Sequence, residues 1–140
     1  MANIIVVGVD SSESAKKAAI TAAQLAAGTE ATLHVLSAVD KLSVDTITDG
    51  THVRSISSGE AADILASDVA GELRAITPRI VYGTLTGKPA DALVEAARTL
   101  DARLIVVGNR RVQGIGRVLG SVATDVAHHA PCDVYIVKTV

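Results

Sequence analysis

Between Gly108 and Ala123 the chain carries the residues best suited to chemistry: GNRRVQGIGRVLGSVA. Gly108 closes an apolar run, Leu104 to Val107, and marks a backbone that turns sharply or approaches something closely. Asn109, Arg110 and Arg111 follow, then Gly114, Gly116 and Arg117, and Gly120-Ser121 opens a helical pattern. Ser121 is of the N-cap type, so the helix would aim free N–H groups and its positive dipole end back at the loop. A strand, a glycine loop and a helix N-terminus together make an anion-binding device, most simply for phosphate. The bland alternative is a plain strand-to-helix connection, but this loop is longer than a minimal connector. Arg110 and Arg111 add guanidinium groups suited to bidentate phosphate contacts.

The elements that must position this loop are legible from pattern. Asn3 to Val9 is a continuous apolar run, expected of a strand buried on both faces of a parallel sheet. It exits into Asp10-Ser11-Ser12-Glu13, where Asp10 or Ser12 caps a helix that carries Ala18, Ala19, Ala22, Leu25 and Ala26 and stops at Gly28. Ala31 to Val39 is the next strand. Lys41 to Ser58 is polar and without period, and reads as a long surface loop containing Asp49-Gly50. A helix is expected from about Ser57, where Ser57 and Glu60 have capping-box spacing, to about Ile76. A strand over Arg79 to Leu85 follows. Pro89 begins a helix running to about Leu100. The Leu104 strand, the loop, a helix from Ser121 to about His129 and a strand from Asp133 to Lys138 complete the chain. Five strands alternating with four helices predict an open, doubly wound α/β sheet over residues 1–140 as one domain. Ligands of such sheets sit beyond the carboxyl ends of the strands, where the strand order reverses.

Composition narrows the functions. Of 140 residues 49% are hydrophobic, yet Tyr82 and Tyr135 are the only aromatic residues, so the core is aliphatic. A net charge of −2 and so few aromatics argue against nucleic acid as a partner. The single cysteine allows no internal disulfide and fits a reducing compartment. No run reaches membrane-spanning length, and a soluble, cytoplasmic protein is expected. His128, His129 and Cys132 resemble metal ligands only in the text. Adjacent histidines point to different sides of a helix, and His near a helix C-terminus before Pro131 simply favours the dipole. His34 reads as a packed strand residue, Ser11 and Ser12 as capping residues, and Asp45 and Asp49 as solvated.

The exit VGVDSS, the stretch VVGN…GRVLGSVA and the ending HHAPCDVYIVK resemble the universal stress protein family, and the resemblance runs the length of the chain. It implies a Rossmann-like five-stranded sheet of order 3-2-1-4-5 (adenine nucleotide alpha hydrolase-like), with the Asp10 and Gly108 strands adjacent at the reversal. Many members bind ATP through a Gly-x-x-Gly, nine-residue gap, Gly-Ser/Thr motif. Carried onto this chain, the backbone near Val35 with Val9 and Asp10 would meet adenine, and Val107, Gly108 and Asn109 would line the ribose side. Gly120, Ser121, Val122 and Ala123 would take the phosphates, with Arg110, Arg111 and Gly114 in the loop between. The chain departs from the motif: Arg111 stands where the second glycine is expected, and eight residues separate it from Gly120. The implied cofactor is ATP or another adenine nucleotide, with or without Mg, and cyclic AMP is an alternative. The implied assembly is a homodimer paired through Asp133–Lys138, an edge strand that needs covering. The sequence offers no evident general base or Mg²⁺ carboxylate pair beside the phosphates, which favours a regulatory binding protein of the stress response. The competing classes are a slow ATPase or autophosphorylating enzyme, and a member that binds no nucleotide and acts through protein contacts.

Overall fold

The computed structural model describes residues 1–39, 44–49, 52–109 and 119–139, and side chains throughout these except for 44–49 and 52–58. The elements are β1 (Ala2–Gly8), α1 (Glu13–Thr29), β2 (Thr32–Val39), β3 (Val44–Asp49), β4 (His52–Ser57), α2 (Ser58–Leu73), β5 (Ile80–Thr86), α3 (Pro89–Leu100), β6 (Ala102–Gly108), α4 (Ser121–His129) and β7 (Asp133–Val137). The main sheet is parallel, in the order β5-β2-β1-β6-β7. This is the expected 3-2-1-4-5 arrangement of its five strands. The chain winds outward from β1 through β2 to β5, then returns to β6 on the other side of β1. The order therefore reverses between β1 and β6.

The apolar runs are continuous because successive side chains feed two cores. Ile5, Val7, Val9, Leu33, Val35 and Val106 pack against Ala18, Ala19, Ala22, Ala23 and Ala26 of α1 and Ala66, Val69, Ala70 and Leu73 of α2. Val6, Leu36, Ile105 and Val107 face Ala90, Leu93, Val94 and Ala97 of α3 and Ala123 and Val126 of α4. Alanine at the helix contacts lets backbones come close, so this core needs no aromatic rings. Among the described residues no helix is long and apolar enough to cross a membrane.

Four local expectations are corrected. The stretch read as a loop from Lys41 to Ser58 contains an antiparallel pair, β3 with β4, in which Asp49 lies opposite His52. Val44, Thr46, Ile47, Thr48, Val53 and Ile56 are β-branched, a strand signal that the polarity of the stretch masked. Helix α1 does not stop at Gly28. It runs on to Thr29, and Glu30 takes the left-handed conformation (φ 56°) with its N–H donating to the Ala26 carbonyl. Helix α2 ends at Leu73 rather than near Ile76, with the N–H groups of Ile76 and Thr77 turned back onto the Leu73 carbonyl. The N-cap of α4 is Gly120 rather than Ser121, which is the first helical residue. At α1 both candidate caps are used in series: Ser12 Oγ accepts from the Ala15 N–H, and Asp10 Oδ1 accepts from the Ser12 N–H at 2.7 Å.

Candidate functional site

At the reversal of strand order the exits of β1 and β6 lie side by side, and a cavity of about 180 Å³ opens there. From one side to the other its walls are Leu36 and Ala38 of β2, then Gly8, Val9 and Asp10 after β1, then Val107 and Gly108 of β6. Helix α1 contributes Ser12, Ser14 and Ala15, α3 contributes Pro89 and Leu93, and α4 contributes Val122. Its volume is below the ~300–1,000 Å³ of a whole-ligand cleft. It suits part of a ligand, such as a heterocyclic base with its sugar. The β2 and α3 part of the wall is aliphatic, whereas the polar lining comes from Asp10 after β1 and from Ser12 and Ser14 at the start of α1.

Two glycines set how tightly the cavity is drawn. A Cβ on Gly108 would lie 2.7 Å from Ser14 Oγ and 2.8 Å from the Ser14 carbonyl oxygen, so only glycine lets β6 come this close to the first turn of α1. A Cβ on Gly8 would meet Leu93 Cδ1 at 2.7 Å, which keeps α3 against β1.

Beside the cavity a hydrogen-bond network fixes the end of β6. The Asn109 N–H donates to the Val137 carbonyl, extending the β6–β7 ladder by one bond. The Thr139 hydroxyl donates to the Asn109 carbonyl at 2.8 Å, and Ser14 Oγ lies 3.0 Å from Thr139 Oγ1. Lys17 Nζ donates to the Thr139 carbonyl. Thr139 is buried although one residue from the end of the sequence. Asn109 Oδ1 accepts from the Gly120 N–H at 3.0 Å, so a side chain occupies one of the α4 donors assigned to phosphate on sequence grounds.

The expected site residues are distributed as follows. Val9, Asp10, Val107, Gly108 and Val122 line the cavity, and Asn109 and Gly120 are joined beside it. Ser121 is exposed at the start of α4, and Ala123 is buried in the α3/α4 core. The Val35 side chain is fully buried against α1 and α2, while its neighbour Leu36 meets the cavity. Arg110, Arg111 and Gly114 lie outside the described residues. Sequence reasoning missed Ser14, Ala38, Pro89 and Leu93. Pro89 carried a usable signal, since a helix that starts just beyond a strand end overlies the same crevice.

His129 Nδ1 donates to the Asp125 carbonyl of its own helix. Burial, with Asp133 nearby, pushes the Cys132 thiol up, which suppresses the thiolate. Burial lowers the His34 pKa, keeping the imidazole neutral. His34 lines a second, more open groove between β2, β5 and α3, with Leu36, Leu85, Ala96 and Leu100. Among the described residues, no group of three or more His, Cys, Asp or Glu could hold a metal ion.

The fold and the crevice define an open doubly wound α/β protein with its candidate site at the topological switch point. The sequence model of the universal stress protein family matches residues 1–138, and the chain belongs to that family. The Mycobacterium tuberculosis universal stress protein Rv1636 is 35% identical over 141 residues, covering 96% of this chain and 95% of that protein. A universal stress protein solved in complex with cAMP superposes with a TM-score of 0.75 at 33% identity, over 98% of this chain and 97% of the other. The Archaeoglobus fulgidus protein solved with dAMP gives a TM-score of 0.70 at 26% identity, with 96% of each chain covered.

Proposed function

We propose that this universal stress protein binds an adenine nucleotide in the switch-point cavity and acts in the cytoplasm as a homodimeric regulator of the stress response, paired through β7. The observation that carries the reading is the cavity itself. An aliphatic side fit for a base meets a polar side at Asp10 and Ser14, beside the N-terminus of a nine-residue helix. The cAMP and dAMP complexes of similar chains support the same ligand class. Base and sugar would fill the cavity, and the phosphate would reach the N–H groups of Ser121 and Val122 at the positive end of α4. ATP is the nucleotide that the family motif suggests. A Mg²⁺ ion accompanying it would be held chiefly through the phosphates, because Asp10 is the one carboxylate among the described cavity-lining residues.

A second reading, cyclic AMP, is favoured by two features of this chain. Arg111 replaces the glycine that would let the loop backbone approach a polyphosphate, and Asn109 already occupies the Gly120 N–H. Fewer free donors suit a ligand with one phosphate. Mass spectrometry of the small molecule that copurifies with the native protein tests the reading, together with thermal melting against ATP, AMP, cAMP and adenosine. A bound nucleotide at 100 times its Kd stabilises by about 2.7 kcal/mol, a shift well above error. Turnover of ATP by the purified protein would favour the enzyme class instead. Absence of any adenine compound from either experiment would remove the proposal.

A further inference from the structure

The Thr139 hydroxyl has one hydrogen, and the Asn109 carbonyl, which can only accept, takes it at 2.8 Å. Thr139 Oγ1 can therefore act toward Ser14 only as an acceptor, and the Ser14 hydroxyl must donate across their 3.0 Å contact. Ser14 thus has no hydrogen left for a ligand and offers lone pairs alone. Its oxygen lies hard against Gly108 at the polar side of the cavity, where a Cβ on Gly108 would be 2.7 Å away. The polarity is fixed from outside the cavity: Asn109 is held by the Val137 carbonyl, and Thr139 by Lys17.

We propose that Ser14 is a specificity-determining residue that accepts a hydrogen bond from a ribose hydroxyl of the bound nucleotide. Phosphate oxygens are acceptors and would be repelled at this position, so an O–H or N–H donor is required. The chemistry of the walls selects the sugar as the source. Leu36, Ala38, Pro89 and Leu93 offer a base aliphatic surface, and α4 enters the cavity at Val122, beside its N-terminal N–H groups. With base and phosphate so placed, the hydroxyls left to meet Ser14 beside Gly108 are those of the sugar.

The inference rests on the nucleotide reading, and one titration series separates the two. AMP, its 2′-deoxy analogue and its 3′-deoxy analogue are titrated by calorimetry into the full chain and into Ser14→Ala, with a thermal melt of each protein. In the parent, loss of one of the two hydroxyls should weaken binding about 2- to 10-fold, the range of a neutral hydrogen bond. In Ser14→Ala, AMP and that deoxy analogue should bind alike. Thr139→Val, which releases the Ser14 hydrogen, should narrow the preference for the ribose hydroxyl. Equal binding of all three ligands to the parent overturns the inference and leaves the nucleotide reading standing. Undiminished discrimination in Ser14→Ala does the same. Failure of the parent to bind any of the three, with ATP and cAMP failing as well, removes both.

Discussion

Replacing Gly108 with alanine is the sharpest perturbation of the packing that forms the site. The added methyl would sit 2.7 Å from Ser14 Oγ, 2.8 Å from the Ser14 carbonyl oxygen and 3.2 Å from its carbonyl carbon. The hydroxyl could rotate only by giving up Thr139. The carbonyl belongs to the α1 backbone and can move only with the helix. Overpacking of this kind costs about 1–3 kcal/mol, and the backbone partner places Gly108→Ala in the upper part of that range. For a chain of this size the corresponding fall in Tm is roughly 5–12 °C. Gly8→Ala makes an equally short contact, 2.7 Å, but with the tip of Leu93, which has other rotamers, so its cost should be smaller. Gly28→Ala meets nothing within 4 Å and lies inside α1, where alanine is favoured over glycine by about 1 kcal/mol, so Tm should rise. Thermal and urea unfolding of the three variants should give the order Gly28→Ala, parent, Gly8→Ala, Gly108→Ala, from most to least stable. A Gly108→Ala protein as stable as the parent would refute the close β6–α1 packing.

Other outcomes follow from the same geometry. Because burial lowers the folded-state pKa of His34, its contribution to stability is complete above pH 6.5 and is lost as pH falls below it, when the unfolded chain takes up the proton first. His34→Gln should flatten the pH dependence of urea unfolding below pH 6.5, and an unchanged slope would exclude His34 as its source. Pairing through β7 predicts a dimer in light scattering, and Tyr135→Lys, at an exposed position of that strand, should shift it toward monomer. A parent that is monomeric at all concentrations would contradict this pairing. Arg111→Ala should weaken ATP more than adenosine, by about one to two decades if one charge-assisted contact is lost, with a smaller defect at high salt. Tighter ATP binding by Arg111→Gly would show instead that the side chain blocks the phosphate path.

Much of this architecture was written in the apolar runs. Residues 4–9 and 104–107 are apolar at every step, as expected of strands covered on both faces. Pattern alone left the strand order open. The resemblance to universal stress proteins supplied it, and β1 does lie between β2 and β6. The β3–β4 pair was missed because its strands have mixed polarity, although their β-branched residues favour strand. Val35 and Leu36 show the limit of reading a strand by eye. One step along β2 moves a side chain from the α1/α2 core to the cavity wall, and an all-apolar run does not say which residue faces where. The Ser14–Thr139 contact spans 125 residues and Thr139 to Asn109 spans 30, so no local pattern could announce either. Ser12 and Asp10 were legible because capping is local. Gly120 takes the cap position because glycine also serves there, and the helix begins at Ser121, one residue earlier than a Ser121 cap would allow.

The claim that a nucleotide occupies the cavity between the β1 and β6 exits is tested most directly by amide chemical-shift mapping during a cAMP titration of isotope-labelled protein. The largest shifts should fall on Asp10, Ser14, Gly108 and Val122, with Leu85 and Leu100 in the second groove unmoved. Absence of shifts at saturating cAMP, or shifts centred on the groove beside His34, would contradict it.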